Sequence, residues 1–226
     1  MNNQTSEDNN NSLDFDFVDI SICIDRSASM MKMYKETISG VNKFIEEQKN
    51  TANETNIPTN ITLTVFDDIS QIIPEFNNAN IKLVPNVDSK YLEPQGMTLL
   101  IDTAINTLIA QNKRYIEWKN QPNNQNKSMK RIFTLLTDGD DNKSILYNIN
   151  QLNDTITKFQ NDGVTAIFLA ANQDAISQGN LYGFQEKYSM TYNQTEECAL
   201  NTFRTLSDHI TTECKGLHSQ GFSDLE

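Results

Sequence analysis

The 226-residue sequence has few of the features that would place it outside the cell or in a membrane. Its three cysteines, Cys23, Cys198 and Cys214, are an odd number without close spacing, which argues against both a disulfide framework and a zinc site. No apolar run approaches the roughly 18 residues of a membrane span. The chain also does not begin with a basic segment followed by an apolar one, as a secretory signal would. These absences predict a cytoplasmic protein without membrane insertion.

Positive charge is scarce as well. The 18 Lys and Arg residues stand against 30 Asp and Glu residues, which gives a formal net charge of -12. Binding of nucleic acid requires basic side chains that neutralise phosphates, so nucleic acid is not expected as a partner. An acidic protein is better suited to cations and to basic surfaces.

What the sequence does contain is an alternation of strand-like and helix-like segments. Runs rich in β-branched and apolar residues predict strands at 17–24, 60–68, 71–76, 131–138, 164–172 and 188–192. Helical spacing predicts helices from about 34 to 49, from Thr98 onward, at 144–160, near 174–181 and from Thr195 to about Cys214. Ile109 and Ile145 are expected on the inner faces of the second and third helices.

This order of elements predicts an α/β fold with a mostly parallel, six-stranded sheet and helices on both faces. The strand 71–76 follows its predecessor too soon for a helix to intervene, so it is expected to be an antiparallel edge strand. Residues 15–214 are expected to form a single domain, because no repeat or interior linker interrupts them. The polar residues 1–14 predict a disordered tail, and residues 215–226 a loose one.

Acidic and hydroxyl side chains are concentrated where the predicted strands end. In an open parallel sheet, ligands bind at the carboxyl ends of the strands. Asp25, Ser27 and Ser29 follow the first strand, Asp138 closes the fourth, and Thr98 lies at the start of the long helix. Ligands that are all oxygen favour a hard divalent cation, Mg²⁺ with Mn²⁺ or Ca²⁺ as alternatives, over zinc.

The charges of these five residues indicate what such an ion could do. Asp25 and Asp138 would formally neutralise a divalent ion, whereas the three hydroxyls add no charge. An ion held in this way stays electrophilic and keeps a coordination position open. A Glu or Asp carboxylate of a protein partner would complete it.

Each segment also has a simpler interpretation. An Asp-x-Ser-x-Ser sequence is often a helix N-cap, Thr98 alone would be interpreted in the same way, and the acids after Thr137 could form a surface turn. The coincidence of three segments at predicted strand ends or helix starts favours the metal site. Asp67 and Asp68 are expected to be solvated hairpin acids. Asp140 and Asp141 are expected at the rim of the site.

The combination of these segments resembles the von Willebrand factor A domain. The matching residues are Asp25-Arg26-Ser27-Ala28-Ser29-Met30, the threonine at 98 after Gly96, and Thr137-Asp138-Gly139. In that family the pattern Asp-x-Ser-x-Ser, Thr and Asp is the metal-ion-dependent adhesion site (MIDAS). The resemblance extends over roughly residues 15–214 in the family's order, with Ala28 where glycine is usual. The segment 168–179 also resembles a run, GANxDA, of uncharacterised intracellular bacterial and phage members.

The resemblance implies a doubly wound, Rossmann-like fold with one antiparallel edge strand. It also implies that Ser27, Ser29 and Thr98 contact the ion directly, with Asp25 and Asp138 close to it or bound through water. The implied function is a metal-dependent, adhesion-type protein-binding module.

Two alternatives to a binding module remain, a metal-dependent hydrolase or phosphotransferase and a metal-free interaction scaffold. An enzyme needs a nucleophile or a general base near the metal. The sequence has no Gly-x-Ser-x-Gly, no Walker glycine loop and no Asp-x-Asp-x-Thr/Val phosphatase nucleophile, and neither histidine falls at a strand end. The sequence therefore favours a protein that is not an enzyme.

Overall fold

A computed structural model describes residues 15–171, 174–192, 196–215 and 222. The expected tail over residues 1–14 lies outside them. The strands within the described residues are β1 (Phe17–Asp25), β2 (Thr59–Phe66), β3 (Ser70–Ile72), β4 (Ala79–Asn80), β5 (Met129–Thr137), β6 (Val164–Ala171) and β7 (Ser189–Tyr192). The α-helices there are α1 (Tyr34–Thr55), α2 (Leu100–Lys119), α3 (Ile149–Asn161), α4 (Ala175–Tyr182) and α5 (Glu196–Cys214).

The strands form one mostly parallel sheet in the order β3-β2-β1-β5-β6-β7. β1 is parallel to both β2 and β5, while β3 and the two-residue β4 pair with β2 in antiparallel fashion. The predicted fold class and antiparallel edge are therefore confirmed, with β4 as an additional short strand. The direction of strand addition reverses between β1 and β5, and such a switch point is where an open sheet forms a ligand crevice at its carboxyl end.

Helices cover both faces of the sheet, as the near-continuous apolar runs of the central strands predict. α1 and α5 pack with Ile20, Ile22 and Ile24 on one face. α2, α3 and α4 pack with Cys23 and Phe133 on the other. No helix in the described part of the chain is both long and apolar enough to cross a membrane.

One charged pair is buried between β1 and α2. Asp19 is buried in β1, and its two carboxylate oxygens accept hydrogen bonds from Nε and Nη2 of Arg114, both at 3.0 Å. Nη2 also donates to Ser21 Oγ at 2.8 Å. A buried carboxylate is tolerated only when it is paired and hydrogen-bonded, so this contact fixes the helix against the strand.

Two apolar residues expected on inner helix faces are exposed. Ile109 is 49% exposed. Residues four apart on a helix are rotated by about 40° relative to each other, so Ile109 lies about 80° from Ile101, at the edge of the buried face of α2. Ile145 is 87% exposed, because α3 begins only at Ile149, where Asn148 forms a capping box.

The edge of the sheet also differs from expectation, and one residue near the end of the chain is described. β3 is shorter than the predicted strand 71–76, since Pro74 lacks a backbone donor and begins a 3₁₀ turn. Phe222, within the expected loose tail, is buried and its ring centroid lies 5.3 Å from that of His209 on α5. This residue therefore packs against the domain.

The crossing of α1 and α5 depends on Gly40. A Cβ added at this position would come within 2.0 Å of Cδ2 in the buried ring of Phe203. Helix propensity alone would make Gly40→Ala stabilising by about 1 kcal/mol. We expect instead that the overpacked variant loses about 1–3 kcal/mol in the free energy of unfolding, measured by urea denaturation.

Ser39→Ala is the matched control for this variant, because Ser39 is exposed on the same helix. It should unfold with at least the parent free energy. A Gly40→Ala variant as stable as Ser39→Ala would contradict the tight α1–α5 packing.

Candidate metal site at the carboxyl ends of the strands

The ends of β1 and β5 bring four of the five predicted site residues into one cluster. The Oγ atoms of Ser27 and Ser29 lie 3.0 Å apart, and Ser29 Oγ donates a 2.6 Å hydrogen bond to Asp138 Oδ1. Asp25 Oδ1 accepts a hydrogen bond from the backbone N–H of Ser27 at 2.7 Å. These contacts join side chains 109 residues apart in sequence at the switch point of the sheet.

Asp25 forms the buried base of this cluster. Its second carboxylate oxygen accepts a 2.6 Å hydrogen bond from Thr137 Oγ1, the last residue of β5. Burial raises the pKa of Asp25 to about 6, although the hydrogen bonds from Thr137 and Ser27 lower it. Burial also raises the pKa of Asp138. A cation beside the two carboxylates would favour their charged forms and oppose this effect of burial.

The fifth residue, Thr98, is placed next to the cluster by its backbone. Its N–H donates to Asn142 Oδ1 at 2.8 Å, and its carbonyl accepts from the Asn142 N–H at 3.1 Å, within the loop that follows Asp138. On the other side, the Gly96 carbonyl accepts from the N–H of Ala28 at 3.3 Å. The segment before α2 is thus bonded to both loops of the cluster, and the Thr98 side chain is buried there.

A buried ion pair between the turn after β1 and the end of β2 was not predicted. Arg26 Nε lies 3.0 Å from Asp67 Oδ2, and both side chains are buried. Asp67 also accepts hydrogen bonds from Gln95 Nε2 at 2.8 Å and from the N–H of Ile69 at 2.9 Å, while Arg26 Nη1 donates to the Tyr91 carbonyl at 3.2 Å. The expectation that Asp67 is solvated was therefore wrong. Arg26 lies between Asp25 and Ser27, both of which were expected to face the site. A basic residue at such a position indicates that an acid lies nearby to pair with it.

The other nearby acids divide into two groups. Asp68 and Asp140 are exposed, as expected for solvated or rim positions. Asp141 is not a rim acid, because its carboxylate accepts the N–H of Ile101 at 3.1 Å and the hydroxyl of Ser144 at 2.6 Å. It satisfies a free backbone donor in the first turn of α2.

Asp102 also organises the loop after β5, a role that was not predicted. This carboxylate is buried on α2 and accepts backbone N–H groups from Ile145, Leu146 and Tyr147 at 3.0–3.2 Å. A charged residue in the first turn of an otherwise apolar inner face was the only signal. The loop that carries Asp138 is therefore hydrogen-bonded, through its last residues before α3, to the first turn of α2.

The donor set of the cluster fits a hard divalent ion. Octahedral Mg²⁺ with oxygens at about 2.1 Å places neighbouring ligands about 3.0 Å apart. The Ser27 and Ser29 hydroxyl oxygens are hydrogen-bonded at 3.0 Å, close to that spacing, and Ser29 and Asp138 are closer, at 2.6 Å. Among the described residues no three His, Cys, Asp or Glu side chains are grouped to hold a metal. An ion here would therefore depend on two carboxylates and on hydroxyls.

Two solved proteins have a similar fold over most of this chain. Proximal thread matrix protein 1 (PTMP1) from the mussel byssus has a TM-score of 0.58 at 17% sequence identity, covering 88% of this chain and 48% of PTMP1. The pilus adhesin SpaC from Lactobacillus rhamnosus GG has a TM-score of 0.61 at 14% identity, covering 87% of this chain and 30% of SpaC. The chain thus spans less than half of either protein.

A second structure of PTMP1 has a zinc-occupied MIDAS motif, with a TM-score of 0.53 at 15% identity over 88% of this chain and 46% of PTMP1. No protein-family model matches the sequence, and no curated protein is similar enough to match it. At these identities the comparisons concern the fold. Together with the strand order, they show that the chain has the von Willebrand factor A fold.

Proposed function

We propose that this chain is a divalent-metal-dependent, adhesion-type protein-binding module. Asp25, Ser27, Ser29, Thr98 and Asp138 would hold the ion, Mg²⁺ first, with Mn²⁺ or Ca²⁺ as alternatives. The observation that carries the proposal is the contact of Ser29 with both Ser27 and Asp138, which joins the ends of β1 and β5. The zinc-occupied MIDAS of PTMP1 and the adhesin SpaC, which have the same fold, support a metal-dependent adhesive role.

The residues of the cluster would have different tasks. Asp25 is buried and fixed by Thr137, so it would supply negative charge from below without changing position. Ser29 is exposed and Asp138 is half-buried, so they form the mouth of the site, where a partner can approach. A bound ion would offer one open coordination position to a Glu or Asp carboxylate of that partner.

Catalysis by the same ion is the second candidate, and the surroundings of the cluster do not favour it. A hydrolase needs a general base within hydrogen-bond reach of the attacking group. The described histidine, His209, lies on α5 and packs against the rings of Tyr188 and Phe222. Ser29 donates to Asp138, an acid expected to bind the ion, so within the described part of the chain the acceptor of its proton is a proposed ligand and not a separate base.

Magnesium should raise the melting temperature of the purified protein. An ion that binds only the folded state stabilises it by RT ln(1 + [L]/Kd), about 2.7 kcal/mol at a hundredfold excess over Kd. We expect Asp25→Ala and Ser29→Ala to lose this response, whereas Asp154→Ala, at an exposed position of α3, keeps it. A thermal-shift titration with Mg²⁺, Mn²⁺, Ca²⁺ and Zn²⁺ measures it, and an equal response of Asp25→Ala and the parent would contradict the site.

Docking of a partner through the ion should be sensitive to chelation. We expect a pull-down with the purified chain to recover partner proteins in Mg²⁺ and to lose them in EDTA. The chelator removes the metal ion that the partner carboxylate would coordinate. Mass spectrometry of both eluates measures the difference, with Ser29→Ala as the matched bait. An unchanged protein list would contradict docking through a metal.

A further inference from the structure

Three exposed apolar side chains lie on segments that adjoin the proposed metal site. Met31 is 61% exposed, Ile69 57% and Met97 44%. Met31 follows Ser29 by two residues, Met97 directly precedes Thr98, and Ile69 follows the end of β2. We refer to Met31, Ile69 and Met97 as the apolar rim.

The three loops of the apolar rim are bonded to each other. The N–H of Ala28 donates to the Gly96 carbonyl at 3.3 Å, and the N–H of Gln95 donates to the Arg26 carbonyl at 2.9 Å. The N–H of Met97 in turn donates to Asp68 Oδ1 at 3.3 Å, next to Ile69. The segments that carry the apolar rim are therefore hydrogen-bonded to one another beside the candidate ligands.

The core does not need these three side chains. In the turn after Ser29, the inward positions are taken by Met30 and Met33, both buried, while Met31 between them faces solvent. Single exposed apolar residues are normal on a protein surface. Three of them on adjoining segments, next to a cluster of charged and hydroxyl groups, make this face a candidate interaction site.

Acidic side chains lie on the same surface. Asp68 is exposed beside Met97, and its pairing with Lys143 at 3.7 Å is solvent-exposed and therefore weak. Asp140 is exposed on the loop after β5 and contacts Gln178. A segment with several acids would be repelled here, whereas Lys or Arg next to a single acid would be attracted.

We propose that the apolar rim with Asp68 and Asp140 selects the partner, and that the partner is a protein segment in which one Glu or Asp is flanked by an apolar residue and by Lys or Arg. This rests on the proposed function, because the partner's acid is the residue that binds the ion. The apolar residue packs on Met31, Ile69 and Met97. The basic residue faces Asp68 or Asp140, so the flanking residues determine which acidic segments bind.

A random-peptide display library tests this directly. The folded chain is immobilised in Mg²⁺, and bound peptides are eluted with EDTA and sequenced. We expect enrichment of an acid together with an apolar and a basic neighbour. A selected peptide should bind the Met31→Ser/Ile69→Ser/Met97→Ser variant about tenfold or more weakly, since the variant lacks the apolar side chains on which the peptide's apolar residue packs.

Two further variants make the outcomes separable. Asp68→Asn/Asp140→Asn should lose the preference for basic neighbours only, and Ile116→Ser, at an exposed apolar position on α2, should change nothing. Melting temperatures confirm that each variant is folded. Chelator-eluted peptides with an acid but without apolar and basic enrichment would overturn this proposal and leave metal docking intact. If no peptide is eluted by the chelator, the proposed docking function fails, and the proposal for the apolar rim fails with it.

Discussion

An Arg114→Met variant is expected to lose about 3–5 kcal/mol in its free energy of unfolding, because it leaves the buried Asp19 carboxylate without its partner. Methionine retains much of the arginine stem, so the lost packing is small compared with the cost of leaving a buried carboxylate without the hydrogen bonds from Arg114. Guanidinium denaturation followed by circular dichroism measures the difference.

The matched control is Lys113→Met at the adjacent position. Lys113 and Glu117 are 3.9 Å apart and both are largely exposed, so this change should alter stability little. Asp19→Leu combined with Arg114→Met removes both charges and should recover part of the loss, since the penalty arises from the unpaired group. If the single Arg114→Met variant is as stable as Lys113→Met, the buried pair does not hold α2 against β1.

The second large effect is expected for Arg26→Met, which leaves the buried carboxylate of Asp67, below the candidate site, without its ion-pair partner. We expect a loss of about 3 kcal/mol or more in the free energy of unfolding. Magnesium should also bind more weakly, because Arg26 and Asp67 connect the turn after β1 to Tyr91 and Gln95, just before Thr98.

Unfolding curves and a Mg²⁺ titration of the same variant separate these effects. Asp67→Asn keeps a side-chain oxygen as an acceptor and should be milder, and Lys32→Met, at an exposed position near the turn, serves as the control. A destabilised Arg26→Met with the parent's Mg²⁺ midpoint would show that the pair supports the fold but does not position Thr98.

The sequence was a good guide wherever a single local pattern determines the structure. The β-branched run before Asp25 needs cover on both faces, so the central strand, its parallel neighbours and the two helix layers could be predicted. The convergence of Ser27, Ser29 and Asp138 could also be predicted, since carboxyl ends of neighbouring parallel strands meet at one edge.

The remaining features depend on tertiary partners that a one-dimensional pattern does not contain. Asp67 and Asp141 look like surface acids in the sequence, but Asp67 pairs with Arg26 and accepts a hydrogen bond from Gln95, and Asp141 accepts the N–H of Ile101. Asp102 accepts backbone N–H groups from the loop after β5. Similarly, Ile145 has the spacing of a helical inner-face residue, yet Asp102 holds its N–H in a loop. Whether an acid is solvated or buried is decided by these distant donors.

The apolar rim also has a consequence for how such chains diversify. Arg26, Asp67, Asp102 and Asp141 hold the loops from within, whereas Met31, Ile69 and Met97 point outward from them. The three outward positions can therefore be exchanged at little cost to the framework below. A duplicated copy of the gene could acquire a new recognition surface by a few substitutions there. A combinatorial library that varies the same three positions would leave the domain folded.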